Sequence, residues 1–174
     1  MKTYLKNLLV FISICGVMTL LLATTNYFTA PIIKENEKAA TNKALKEVMP
    51  KGETFEMVDI STLTLPEKVT EVYKETSGVG YVVKLTTSGY GSGMVIMCGV
   101  DMNGTVTGTT CIASNETLGY EKTFGENFTN KNSAEIDSVD TVAGATKTTA
   151  AYKDAVIDAV NTANVLAKEN GGAK

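Results

Sequence analysis

MVIMCGVDMNGTVTGTTCIA, Met94 to Ala113, is the stretch whose reading decides the fold class. Two runs rich in apolar and β-branched residues, Met94–Val100 and Thr105–Ala113, flank Asp101-Met102-Asn103-Gly104. Asn-Gly between alternating runs signals a tight hairpin, because the favoured turns place residues at positive φ. A two-residue turn at Asn103-Gly104 is expected. It sets Cys98 opposite Thr109 and Cys111 opposite Ile96. The two thiols then share a face but sit diagonally, too far apart for easy bridging. Both are expected to be free.

Working outward toward the N-terminus, the loop SGYGSG (Ser88–Gly93) is glycine-rich. Before it, Val69–Lys74 and Gly80–Thr86 read as strands joined at Ser77-Gly78. The segment from Pro50-Lys51-Gly52 to Pro66 reads as loose. Toward the C-terminus, Ser114–Phe128 mixes turn residues and aromatics and reads as a loop plus a short helix. Ile136–Val142 reads as a weak strand. A last helix is expected from about Lys147 to Lys168: Tyr152, Val156, Val160, Ala163 and Leu166 keep helical spacing, and Gly171-Gly172 stops it. Antiparallel β-hairpins packed with helices make an α+β domain.

The beginning of the chain is different in kind. From Asn7 to Ile33 there is no charged side chain. A transmembrane helix needs about 20 mostly apolar residues, and this run is long enough. Lys2 and Lys6 precede it, and such flanking lysines stay on the cytoplasmic side. A cleaved signal peptide fits less well. The apolar stretch continues through Tyr27, Phe28, Ile32 and Ile33, and an Ala-x-Ala site is missing. A lipoprotein signal is rejected because Ile14 precedes Cys15. Residues 34–49 read as a helix leaving the membrane, with Ala40, Ala44, Leu45 and Val48 on one face. The expected division is therefore a single-pass anchor at 1–33 and an extracytoplasmic domain at 34–174, about 140 residues and the size of one domain.

Composition removes several chemistries. The 174-residue chain has a formal net charge of −3, which gives no electrostatic case for nucleic acid. It contains no histidine, arginine, tryptophan or glutamine. Histidine-based nucleophilic triads and histidine-ligated metals are excluded. No arginine fork is present to grip a phosphate. Cys98 and Cys111 are too few for an iron–sulfur cluster, and no metal ligands are assigned.

Against that background DTVAGATKTTAAYKDAV (Asp140–Val156) stands out. A helix N-terminus exposes unpaired N–H groups and about half a positive charge, and so receives anions. Gly144 lets the backbone turn tightly. Thr146 falls at or just before the first helical turn. It reads either as a plain N-cap, worth about 1 kcal/mol, or as the place where an anion is attached.

Asp140, then Ala143-Gly144-Ala145-Thr146 and Lys147-Thr148-Thr149, resembles a motif of the RnfG/NqrC family, the membrane-anchored, covalently flavinylated subunits of bacterial ion-pumping electron-transfer complexes. Gly89-Tyr90-Gly91-Ser92-Gly93 with Gly99-Val100-Asp101 and Gly104 resembles the family's second stretch. Glu116-Thr117-Leu118-Gly119 resembles its flavin-side loop. The chain departs from the family at Ala143, where Ser or Thr is usual. It departs again at Leu118, in place of proline, and at Tyr120-Glu121, in place of Leu-Gly.

The resemblance implies FMN joined by a phosphoester to Thr146. It implies a cofactor site that includes Tyr90, Glu116, Thr117, Gly119, Asp140, Gly144, Ala145 and Thr148. It implies electron relay between reduced ferredoxin and NAD, no catalytic residues of the subunit's own, other complex subunits as partners, and a flavin transferase for maturation. RnfG is favoured over NqrC by the short chain. A plain anchored binding module, with Thr146 only a cap, and a pilin-like subunit share the layout. The early apolar run holds no glutamate, which argues against the pilin. Positive potential near a flavin would come from Lys84, Lys147, Lys153 or backbone N–H groups.

Overall fold

A computed structural model describes the backbone of residues 2–171 and the side chains of residues 4–168. The chain separates into two compact units, Met1–Ala40 and Thr41–Lys174. The first helix, α1 (Lys2–Val48), supplies nearly all of the first unit and enters the second. It runs unbroken past the expected division at residue 33.

In the first unit the apolar side chains are exposed, from Leu8 and Phe11 to Ile32 and Ile33. Among the described residues it holds the one helix long and apolar enough to cross a membrane, with a mean hydropathy of 2.3 over its best window. The serine and threonine hydroxyls of its apolar run are paired within the helix. Ser13, Thr19, Thr24, Thr25 and Thr29 each donate to the carbonyl four residues back, at 2.7–2.9 Å. In lipid, where no water can accept, that pairing is required.

The second unit is a five-stranded antiparallel meander between two helical layers. Its strands are β1 (Phe55–Val58), β2 (Val69–Glu75), β3 (Gly80–Thr87), β4 (Met94–Asp101) and β5 (Val106–Ala113), in spatial order 1-2-3-4-5. The period-two pattern sends alternate residues to opposite faces. Tyr81, Val83 and Leu85 of β3, with Met94, Ile96, Cys98 and Val100 of β4, face the long helix α3 (Thr146–Gly171). That helix buries Tyr152, Val156, Val160, Ala163 and Leu166, the stripe expected from its spacing. Each such large apolar side chain contributes about 1.5–3 kcal/mol when fully buried. On the other face Val82 and Met97 meet Ala44, Leu45 and Val48 at the end of α1, and Met49 beyond it.

The end of α1 sits close to the sheet because Gly99 and Gly108, opposite each other in β4 and β5, carry no side chain. A Cβ on Gly99 would lie 2.6 Å from the Val48 carbonyl oxygen, and one on Gly108 3.0 Å from it. The Thr107 hydroxyl donates to that same oxygen at 2.6 Å. One of the helix's otherwise unpaired terminal carbonyls is thereby satisfied.

Cys98 pairs with Thr109 and Ile96 with Cys111, as expected, and the thiols are free. The turn itself differs. Gly104 N–H donates to the Asp101 carbonyl, Asp101 N–H donates to Thr105, and Gly104 has φ 80°. This is a three-residue loop with glycine in the left-handed position, not a two-residue turn. Asp101 drives the choice: its carboxylate accepts from the N–H groups of both Asn103 and Thr105. A register shift at Gly99/Val100 leaves Thr107 as an extra residue and restores the cysteine pairing.

Other expectations need correction. The stretch after Gly52 contains β1, a short edge strand paired with β2. The weak strand at Ile136–Val142 is absent. Ser133–Ile136 form one helical turn, α2, because Asn132 and Glu135 make a reciprocal capping box. The segment after Ser114 makes two 3₁₀ turns, Tyr120–Lys122 and Phe124–Phe128. α3 continues to Gly171, and Gly172 lies outside the described residues.

Candidate functional site

Three connecting segments meet at the start of α3. They are the glycine-rich loop between β3 and β4, the loop after β5, and the Ala143–Thr149 turn. Glu116 ties them together. Its Oε1 accepts from the Gly91 N–H at 3.1 Å, and its Oε2 accepts from the Thr148 hydroxyl at 2.5 Å. Asn115 Nδ2 adds a bond to the Ser92 carbonyl at 2.9 Å. The carboxylate is half-buried and partnered rather than a freely solvated loop group. Gly89 is required by this junction, since a Cβ there would stand 2.6 Å from Glu116 Oε1 and 2.7 Å from Thr148 Cα.

The entry to α3 is built by small residues. Gly144 has φ 86°, a backbone state that side chains other than glycine's disfavour. The Ala145 carbonyl accepts the first helical bond, from Thr149 N–H at 3.0 Å. Thr146 is therefore the first helical residue. Its hydroxyl is exposed, and its one hydrogen bond among the described residues is a long donation to the Val142 carbonyl at 3.4 Å. Thr149 instead ties the segment before the helix to its first turn. Its buried hydroxyl accepts from Val142 N–H at 3.1 Å and lies 3.0 Å from the Ala145 carbonyl. The plain N-cap reading of Thr146 thus loses its geometry.

Beside Thr146 opens a cavity of about 470 Å³. The start of α3 forms one wall through Gly144, Ala145, Thr146, Lys147 and Thr148. The loop after β5, Glu116 to Glu121, forms another, and Tyr90 completes it. Tyr90 is 76 % exposed and Leu118 64 % exposed, so neither belongs to the core. A second cavity, of about 370 Å³, lies behind the same loop and reaches Cys111 and Ser114.

Of the residues expected at a cofactor site, Tyr90, Glu116, Thr117, Gly119, Gly144, Ala145, Thr146 and Thr148 line the first cavity. Asp140 does not; it is exposed on the approach to the turn. Of the three lysines singled out, only Lys147 lines it. Lys84 Nζ lies 3.1 Å from both oxygens of Glu71, and Lys153 Nζ donates to the carbonyls of Asp137 and Val139. Leu118, Tyr120 and Glu121 are lining residues that the sequence marked only as departures from a motif.

The lining fits a flavin nucleotide. An exposed aromatic ring and an apolar side chain offer contact to a planar ring system. The first N–H groups of a helix, unpaired within it, offer a phosphate its donors. Comparison with known proteins agrees. Residues 89–161 match the FMN-binding domain family, and residues 1–48 match the RnfG N-terminal region. Over 151 residues the chain is 35 % identical to the G subunit of the Na(+)-translocating ferredoxin:NAD(+) oxidoreductase complex of Acetobacterium woodii, an alignment covering 77 % of this chain and 73 % of that protein.

The chain belongs to the RnfG family.

The cavity falls inside the FMN-binding match, and so do all its lining residues. The apolar helix falls inside the RnfG N-terminal match.

Proposed function

We propose that this chain is the electron-carrying flavoprotein subunit of a membrane ion-translocating ferredoxin:NAD oxidoreductase complex, with FMN joined by a phosphoester to Thr146. The observation that carries the reading is the position of Thr146. It is an exposed hydroxyl on the first residue of α3, with one long hydrogen bond among the described residues, on the wall of the cavity. The name of the Acetobacterium woodii relative supports placement in such a complex.

FMN, when bound, supplies the redox chemistry, and the protein supplies position and electrostatics. The N–H groups at the start of α3 receive the phosphate, and Gly144 leaves room beside it. Tyr90 and Leu118 give the ring an apolar contact. Glu116 holds three loops in register around it. Lys147 contributes positive charge. The subunit turns over no soluble substrate; electrons arrive from one partner centre and leave to the next.

Lys2 and Lys6 support a cytoplasmic N-terminus, and on this reading the flavin domain lies outside and the helix contacts membrane lipid. There a dissociated cofactor is lost, and a covalent tether replaces bulk supply with a high local concentration. Attachment is the work of a flavin transferase. The test is co-expression with that enzyme. Wild-type protein is expected to fluoresce on a denaturing gel, with FMN mass on the Thr146 peptide and not on Thr148 or Thr149. Full fluorescence of Thr146→Ala would overturn the reading.

A further inference from the structure

Glu121 is a buried carboxylate with an unmet requirement. It is 2 % exposed, in the 3₁₀ turn Tyr120–Lys122. Ser114 Oγ donates to its Oε1 at 2.7 Å. Among the described residues its Oε2 finds no hydrogen-bond donor. A buried polar atom left this way costs about 1–3 kcal/mol, and more when charged. Such a cost persists where something else supplies the partner. Glu121 lines both cavities, on the loop that separates them. Among the described residues no lysine satisfies it; Lys147, across the first cavity, is exposed.

We propose that Glu121 presents its free carboxylate oxygen to the bound flavin, accepting an N–H from it, and that this negative charge holds the flavin potential low. The proposal rests on the flavin reading above and adds a determinant to it. An isoalloxazine ring carries an N–H donor and gains electron density on reduction. A carboxylate in a poorly hydrated wall accepts the first and opposes the second. Glu121 and Lys147 then act on the same cavity with opposite sign. Glu121 stands where the resembling motif has glycine, so the effect belongs to this chain and not to the motif.

The experiment is spectroelectrochemical titration of the full-length, flavinylated protein in detergent, comparing wild type with Glu121→Gln and Glu121→Gly. Both variants remove a buried, half-paired charge, and the glycine variant leaves no polar group behind. The glutamine variant keeps an acceptor for Ser114 and is not expected to lower the melting temperature, whereas the glycine variant loses that bond and buried volume and is expected to lower it modestly. The expected result is intact flavin attachment and a potential raised by about 30 mV or more, a tenfold change in a two-electron equilibrium. Glu121→Asp, which keeps the charge, is expected to stay near wild type. Unchanged potentials in both neutral variants, with flavin attached, overturn the proposal. A lowered melting temperature with an unchanged potential does so as well, because it assigns Glu121 a structural role only. Failure of the wild-type protein to carry flavin would instead sink the reading on which this one rests.

Discussion

The Thr148 hydroxyl donates to Glu116 Oε2 at 2.5 Å, and through that bond the first turn of α3 is joined to the loop after β5. The second oxygen of the same carboxylate holds Gly91. A hydrogen bond to a charged group contributes about 1.5–3 kcal/mol. Glu116→Ala breaks both and is expected to cost about 2–4 kcal/mol by denaturant titration, since the two donors also lose their acceptor. Flavin attachment at Thr146 should fall with it. Equal attachment in the variant would show that the three loops hold the site without this clasp.

Three threonines within four positions do three different things, and alanine substitutions separate them. Thr149→Ala removes the group that accepts Val142 N–H, and should cost about 1–3 kcal/mol because that donor loses its acceptor. Thr148→Ala should cost about as much through Glu116. Thr146→Ala removes an exposed hydroxyl with one 3.4 Å bond, and the melting temperature of the unflavinylated protein should stay in place. Melting curves of the three unmodified variants check this. A marked loss of stability in Thr146→Ala would restore a capping role to Thr146.

The sequence revealed most where a pattern repeats. The stripe on α3 and the pairing of Cys98 with Thr109 follow from periods of 3.6 and 2, which local sequence encodes. It was silent where a single side chain rearranges its neighbours. Asp101 converts the Asn-Gly turn to a three-residue loop by accepting from Asn103 and Thr105. Asn132 and Glu135 turn a strand-like run into a capped helical turn. Edge strand β1 is too short to show alternation and exists by pairing with β2. Of the residues lining the cavity, Thr146, Gly144 and Glu116 were legible from motif order. Glu121 was not, because nothing in Gly-Tyr-Glu-Lys announces a buried carboxylate. Lys84 and Lys153 read as candidates only because partners such as Glu71 lie far off in sequence.

Lysine substitutions should sort by position. Lys147 lines the cavity, whereas Lys84 is paired with Glu71 and Lys153 is bound to two carbonyls. Lys147→Met removes a positive charge that favours the reduced, more electron-rich flavin, and should lower the midpoint potential. Lys84→Met and Lys153→Met should leave it where it is. Titration of all three flavinylated variants decides, and equal potentials in all three would remove lysine from the tuning of this site.

Glu75 gives the fold a defined acid sensitivity. It is fully buried at the end of β2 and accepts from Ser77 Oγ at 2.7 Å and from the Val79 and Glu53 N–H groups. The Ser77 hydroxyl first, and then those backbone donors against the opposing effect of burial, hold its carboxyl below the ordinary value. A depressed folded pKa stabilises above the unfolded value, about 4.3 for glutamate. That stabilisation is lost as pH falls through the folded value. The stability gap between wild type and Glu75→Gln should therefore be widest at neutral pH and narrow below about pH 4. Denaturant titrations at the two pH values measure it, and a gap that does not change with pH would place the acid sensitivity elsewhere.

Cys111 reports on Glu121 without any flavin. Burial first, and then the Glu121 carboxylate, push its thiol up to about 11. Cys98, wholly buried, is pushed up by burial alone. The thiolate is the reactive form, so neither should alkylate in the native protein as fast as an unfolded thiol at pH about 8. Glu121→Gln removes one of the two main causes at Cys111 and none at Cys98. In a Cys15→Ser background, iodoacetamide labelling read by mass spectrometry should therefore speed up at Cys111 and stay unchanged at Cys98. The direction follows from the charge: a neutral neighbour no longer opposes thiolate formation, so more of the thiol is ionised at a fixed pH. Equal Cys111 rates in the two proteins would mean that position 121 carries no charge against the thiol, and its claim on the flavin potential would fall with that result.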